Sequence, residues 1–285
     1  MCKDNTFMEK SYKKNEKYIG ALGRNSAFDL EIPNSFNGNL IVFAHGYMGY
    51  KDWGAWNLMQ KFFAEKGFGF CKFNFSHNGG TVENPIDFPD LEAFANDTYS
   101  KEVFDLQQVL NKLEEEFHAL PNIHLLGHSR GGGIVLLNAN DSRVKSVITL
   151  AAISSIEKRF SDEKILADWK EKGIRFVTNQ RTKQEMPHSY LQVEDFLANK
   201  EKLSIEKACR ELSKPILIIH GNQDVSVPIS EGEDISEWTN TKLTIIENTD
   251  HVFGASQPWI SDKIPEKLEE VCEKVFEFLS KEFSN

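Results

Sequence analysis

The sequence predicts an α/β fold: a mostly parallel central sheet with helices on both faces. Three observations predict it. Short apolar runs alternate along the chain with stretches whose apolar residues recur every three or four positions. Several of those runs are continuously apolar, as a strand covered on both faces must be. No repeat of fixed period interrupts the alternation, which sets aside solenoids and propellers.

In chain order, residues 1–17 are polar, with Lys10, Lys13, Lys14 and Lys17 clustered, and read as a solvated tail. Two short alternating runs follow in residues 18–33, around Gly23-Arg24-Asn25-Ser26, and predict a hairpin. Leu40, Ile41, Val42, Phe43 and Ala44 form the first buried strand. Asp52 is placed to cap a helix carrying Trp56, Met59, Phe62 and Phe63. Residues 68–75 are the next strand, followed by a loop with Asn78-Gly79-Gly80, Pro85 and Pro89. Val103, Leu106, Leu110, Leu113 and Phe117 then mark one buried helical stripe. A strand at 123–126, a short helix at 131–139 and a strand at 144–151 continue the alternation.

Between residues 154 and 212 the alternation stops. The segment is charged and helical in pattern, broken at Gly173 and Pro187, and predicts a small helical cap inserted into the domain that spans 18–285. Strand, helix, strand and helix resume at 215–220, 229–238, 243–246 and from Ile264 onward, with Pro265 tolerated in a first turn.

The chain has 285 residues, long enough to bury a full core without staples. Its 33 basic and 43 acidic residues leave a formal charge of −10, which disfavours phosphate backbones and anionic membranes as partners. The expected partner is a small molecule; nothing in the residues fixes an oligomeric state. No apolar run is long enough to span a bilayer, and Met1-Cys2-Lys3-Asp4-Asn5 has no leader character, so a cytoplasmic chain is expected. Four scattered cysteines without C-x-x-C spacing predict free thiols rather than a disulfide frame or a zinc site.

The chemistry gathers at Gly127-His128-Ser129-Arg130-Gly131, a G-x-S-x-G pattern lying directly after a strand and directly before a helix. That context lifts a serine hydroxyl above the sheet on a sharp turn. Such a hydroxyl needs a base, and the base an orienting carboxylate. In a parallel sheet both belong just past the C-terminal ends of later strands. Asp224 follows the strand at 215–220 and His251 follows the strand at 243–246, in the order serine, acid, histidine. Asp250 is the rival acid, although adjacency to His251 turns the two side chains apart. Oxyanion donors are expected at the backbone N–H of Arg130 and of Tyr47, the latter in the loop His45-Gly46-Tyr47-Met48-Gly49. Tyr47, Trp53, Trp169, Tyr190 and Phe253 are the aromatic residues expected near the pocket mouth, and Trp169, Tyr190 and Phe253 are the candidates for substrate contact. His45 reads as a brace of the oxyanion loop, and His128 as a turn support pointing away. His124 and His128 lie on a strand without the glutamate of H-E-x-x-H, so no metal is expected. Gly131-Gly132-Gly133 lacks any phosphate-loop spacing, and close packing of helix against sheet explains it better.

With His45-Gly46, G-H-S-R-G, H-G-x-x-D-x-x-V-P and Asp250-His251 in place, the chain from about residue 18 onward resembles the α/β-hydrolase superfamily. Within it the loops around residues 45–49, Asp224 and His251 resemble the dienelactone-hydrolase and prolyl-oligopeptidase branch, which includes cinnamoyl and feruloyl-type esterases. The resemblance implies the α/β-hydrolase fold and a cofactor-free serine esterase whose cap shapes the pocket. A small peptidase or aminopeptidase and a thioesterase would share the same machinery. A silent hydrolase fold that serves as a ligand receptor is the reading from another class; such chains often lose a triad member, and none is missing here.

Overall fold

The computed structural model describes residues 11–283. The chain enters its main sheet through an antiparallel hairpin, β1 (Ser11–Ile19) and β2 (Asn25–Ile32). It continues through β3 (Asn39–Ala44), α1 (Trp56–Glu65), β4 (Gly69–Phe73), α2 (Leu91–Ala95), α3 (Tyr99–Glu116), β5 (Asn122–His128), α4 (Arg130–Leu137) and β6 (Val144–Leu150). Next come α5 (Glu163–Lys172), β7 (Ile174–Thr178), β8 (Glu185–Ser189), α6 (Leu191–Ala198) and α7 (Ile205–Arg210). The chain closes with β9 (Ile216–Gly221), α8 (Ile229–Thr239), β10 (Leu243–Ile246) and α9 (Glu266–Phe283).

The main sheet runs β1-β2-β4-β3-β5-β6-β9-β10. The hairpin is antiparallel, and β2 meets β4 antiparallel; every later pairing in the sheet is parallel. After β3 the chain moves outward to β4 and then returns to the other side of β3 as β5. That reversal opens a crevice beyond the C-terminal ends of β3 and β5, the usual place for a ligand in such a sheet.

Successive strand residues point to opposite faces, and here both faces are buried. Leu40 and Val42 pack with Leu106, Leu110 and Leu113 of α3 on one side. Ile41 and Phe43 pack with Trp56 and Phe63 of α1 and with Leu268 and Val271 of α9 on the other. Helices on both faces explain the continuous apolar runs. Thr98 caps α3 by accepting the Lys101 N–H.

Three expectations are corrected. The tail does not extend to residue 17, because Ser11–Ile19 is an edge strand; residues 1–10 lie outside the described part. Its burial alternates, and lysines on an edge strand keep its open side from pairing with other chains. Asp52 does not cap α1, whose N-cap is Ala55 with no side-chain bond. Instead Lys51, Asp52, Lys72 and Asp29 form a buried charge cluster: Lys51 Nζ lies 2.8 Å from Asp29 and 2.6 Å from Asp52, and Lys72 Nζ bonds both acids, 2.7 Å from Asp29. The cluster ties the loop after β3 to β2 and β4.

The inserted segment is not wholly helical. It carries the antiparallel ribbon β7–β8, in which Arg175 pairs with His188 and Phe176 with Pro187. Proline is tolerated because a two-stranded ribbon has only edges. The apolar Ile205 and Cys209 of α7 join the main core rather than the cap.

Candidate active site

Ser129 stands between β5 and α4 with φ 56° and ψ −119°, a strained conformation for a residue with a side chain. The turn closes only because its flanks are glycine. A Cβ on Gly127 would sit 2.3 Å from the Gly131 carbonyl oxygen, and one on Gly131 would sit 2.3 Å from that of Ala44. The Ser129 N–H donates to Leu150 O at 2.9 Å, and the Ile153 N–H donates to Ser129 O at 3.2 Å, which locks the turn onto β6.

Asp224 lies in the loop after β9 with its carboxylate fully enclosed. One oxygen accepts the N–H groups of Ser226 and Val227 at 2.8 and 2.9 Å; the other meets His251 Nδ1 at 2.6 Å. Burial alone would raise the Asp224 pKa. Hydrogen bonds from His220 and His251 outweigh it and hold the carboxyl well below the usual carboxylate range. The second histidine is a contributor that sequence reasoning missed. His220 Nε2 lies 2.9 Å from Val227 O and 3.3 Å from the same Asp224 oxygen as His251.

Because Asp224 accepts the Nδ1–H hydrogen bond, the Nε2 of His251 is left as the acceptor of the ring. His251 is partly exposed and faces two adjoining cavities of about 500 and about 510 Å³, each also lined by Ser129. Among the described residues no hydrogen bond joins the Ser129 hydroxyl to the ring; such bonds are commonly long in unliganded sites and tighten with substrate. The loop carrying His251 is held from below by His128, whose Nε2 bonds the His251 carbonyl at 2.8 Å. His128 therefore does not point away from the site.

The two expected oxyanion donors lie beside the serine. Arg130 opens α4, so its N–H has no acceptor within the helix. A Cβ on Gly46 would lie 3.0 Å from Ser129 Cβ, which places the loop bearing Tyr47 against the serine. His45 braces that loop, with Nδ1 donating to Gly46 O at 2.9 Å and Nε2 accepting the Phe75 N–H at 3.3 Å. The Tyr47 hydroxyl meets His188 Nε2 of β8 at 2.7 Å and ties the loop to the cap.

Of the three aromatic candidates, Trp169 lines the first cavity. Tyr190 lines neither cavity; its ring packs edge-on against Trp169 at 5.8 Å, behind the wall. Phe253 is fully buried in the core beneath α9 and also lines neither. Tyr47 and Trp53, also expected near the mouth, do line the cavities, and the walls further contain Met48, Tyr99, Phe160 and His188 around the first and Trp56 around the second. The Arg130 side chain is held between the rings of Tyr47 and Tyr99, 4.8 and 4.6 Å from their centroids, and lies 3.5 and 3.4 Å from Asp97 and Glu102. Burial, and then the neighbouring Asp97, raise the Glu102 pKa well above the usual range, so the two acids together answer one guanidinium. Among the described residues no group of three or more His, Cys, Asp or Glu is arranged to hold a metal ion, and no helix is long and apolar enough to cross a membrane.

The alpha/beta hydrolase fold family model matches residues 39–174, which carry β3, the loop with Tyr47 and the turn with Ser129. No curated protein matches the sequence. Among solved structures, Est1E from Butyrivibrio proteoclasticus is 20% identical, with a TM-score of 0.70 over 98% of this chain and 100% of its own. Est1E with ferulic acid bound gives 21%, 0.69, 94% and 99%. A Mycobacterium tuberculosis puromycin-hydrolyzing peptidase is 15% identical with a TM-score of 0.66, over 96% of this chain and 40% of its own. The eight-stranded sheet, the turn at Ser129 and these matches agree: the chain has the α/β-hydrolase fold.

Proposed function

We propose that the chain is a serine hydrolase that cleaves carboxylic esters through an acyl-enzyme. The observation that carries the reading is the 2.6 Å bond between Asp224 and His251 Nδ1, which leaves Nε2 turned to the cavity that Ser129 shares. In the first half-reaction His251 Nε2 takes the Ser129 proton as the oxygen attacks the ester carbonyl. The tetrahedral oxyanion rests on the N–H groups of Tyr47 and Arg130, donors each worth about 10²-fold or more in kcat. The intermediate collapses, the alcohol leaves with the proton from His251, and Ser129 keeps the acyl group. Water then repeats the sequence and releases the acid. Asp224 stays ionised, fixing the tautomer and balancing the imidazolium. The two cavities meet at Ser129, one for each half of the ester, and their aromatic walls suit an aryl group.

Activity-based labelling with a fluorophosphonate, beside a panel of chain-length and aryl esters and amino-acyl anilides, tests this. Wild-type protein is expected to label and to turn over esters, and Ser129→Ala to do neither while keeping its fold. Turnover by Ser129→Ala would remove the nucleophile assignment. Anilide cleavage exceeding ester cleavage would move the chain to the peptidases, and absence of labelling would favour a silent receptor.

A further inference from the structure

The two cavities beside Ser129 are lined by Arg130, Arg159, Arg175 and Arg181 and by no aspartate or glutamate, in a chain whose formal charge is −10. Three of these arginines are answered by acids outside the cavities. Arg130 faces Asp97 and Glu102, Arg159 pairs with Glu231, and Arg181 pairs with Asp87. Arg175 is not answered. Among the described residues its guanidinium makes no ion pair and no hydrogen bond, and its Nε is buried without an acceptor. Its contact is the face of Trp169, 4.5 Å from the ring centroid.

A buried donor without a partner costs free energy, and a half-buried cation without a counter-charge costs more. A fold keeps such a group most readily when a ligand completes it. The group is also held in place. Trp169 is anchored by its indole N–H, which donates to His188 O at 2.7 Å, and the guanidinium lies over that anchored ring. His188 in turn receives the Tyr47 hydroxyl, so the arginine, the cap ribbon and the loop beside Ser129 form one connected wall. A planar guanidinium with free donors matches a carboxylate in a paired geometry.

The geometry points to Arg175 as the specificity residue of the site: the half of the substrate that fills the first cavity carries a carboxylate, which seats on this guanidinium. The inference rests on the hydrolase reading and adds the substrate class, an ester bearing a free acid. The first cavity takes either the acid half or the alcohol half, so the test probes each.

The experiment compares two matched pairs on the full chain. The 4-nitrophenyl ester of hexanoate is set against the mono-4-nitrophenyl ester of adipate, which places the charge on the acyl side. Phenyl butyrate is set against 4-carboxyphenyl butyrate, which places it on the alcohol side. In one of the pairs the carboxylate ester is expected to win in kcat/KM by about 30-fold, the range of a hydrogen-bonded charge pair. Arg175→Gln is expected to abolish that advantage, mainly through KM, while the neutral ester and the fluorophosphonate labelling rate stay within about threefold; Arg175→Lys is expected to restore part of it.

A wild-type protein that hydrolyses both members of each pair equally, or an advantage that survives in Arg175→Gln, overturns the inference and leaves the hydrolase reading standing. If the protein labels but turns over none of these esters, protection against labelling by the carboxylate member of each pair relative to its neutral partner decides the matter, and equal protection in both pairs overturns the inference. Failure both to label and to turn over esters removes the hydrolase reading, and the inference falls with it.

Discussion

His128 and His251 are 123 residues apart, yet the Nε2–H of the first donates to the backbone carbonyl of the second at 2.8 Å, and their rings lie 4.7 Å apart. The residue before the candidate nucleophile thus holds the loop that carries the candidate base. Burial, helped by the nearby His251, pushes the His128 pKa down to about 3, so its ring stays neutral and keeps its donor. In His128→Ala the His251 carbonyl loses that donor and the loop its anchor. We expect kcat to fall about tenfold, the worth of about 1.4 kcal/mol, with KM within about twofold. His128→Gln keeps a donor and should recover part of kcat. Unchanged kcat in the alanine variant would show that the loop is held without this bond.

Asp224 and Asp250 both neighbour His251, and the structure gives them different work. Asp250 Oδ1 accepts the N–H groups of Val252 and Gly254 at 3.2 and 3.0 Å and closes its own turn. Asp224 alone meets the ring. Asp224→Asn is expected to lower kcat by about 10⁴-fold, because the amide can present its N–H to Nδ1 and invert the tautomer. Asp250→Asn should cost no more than about tenfold, the effect of weakening one turn. Initial rates on the best ester of the panel check both, and a larger loss at Asp250 would exchange the two assignments.

The parallel sheet and the placement of Ser129, Asp224 and His251 were legible because each depends on local pattern. Every one of the three follows an apolar strand run, and the order of the runs sets their positions along the sheet edge. Other features depended on contacts that no short window contains. Phe253 lies two residues from His251, yet packing under α9 decides where its ring goes. Lys13 and Lys17 look like tail residues until the antiparallel partner at Leu30 and Ala27 is known. The ribbon at Arg175 and His188 was hidden because strands of five residues in a charged segment carry too little periodicity to stand out. The same holds for the Tyr47–His188 bond, which joins the loop after β3 to the cap.

That bond makes its own prediction. Burial pushes the Tyr47 pKa up to about 12 and the His188 pKa down to about 3, so a neutral hydroxyl donates to a neutral ring. His188 Nδ1 is already bonded to Met186 O at 2.9 Å, so Nε2 must accept. Tyr47→Phe keeps the backbone N–H expected to hold the oxyanion and leaves Nε2 buried without a donor. The cost is expected to be about 2 kcal/mol, or about 5 °C in Tm. With the loop released from the cap, KM should rise more than kcat falls. A variant with wild-type Tm and KM would mean that the cap is positioned independently of this contact.

His124 offers a test of stability away from the cavities. It lies within β5, with Nδ1 2.8 Å from Ser146 Oγ and Nε2 3.1 Å from Asn39 Oδ1, and burial pushes its pKa down to about 3. In the unfolded chain the same ring titrates near about 6.5. Between those values the unfolded state binds a proton that the native state refuses, so the stability that His124 contributes is complete above about pH 6.5 and is lost as the pH falls toward about 3. His124→Gln retains a donor and an acceptor but no titration. Its Tm is therefore expected to lie below wild type near pH 7.5 and to gain on it during acidification, by at most about 1.4 kcal/mol per pH unit. Melting both proteins by circular dichroism at intervals from pH 7.5 to 4 reads the gap directly. A gap that stays constant across that range would mean that the native ring accepts its proton as freely as an exposed one, which the enclosed position in β5 forbids.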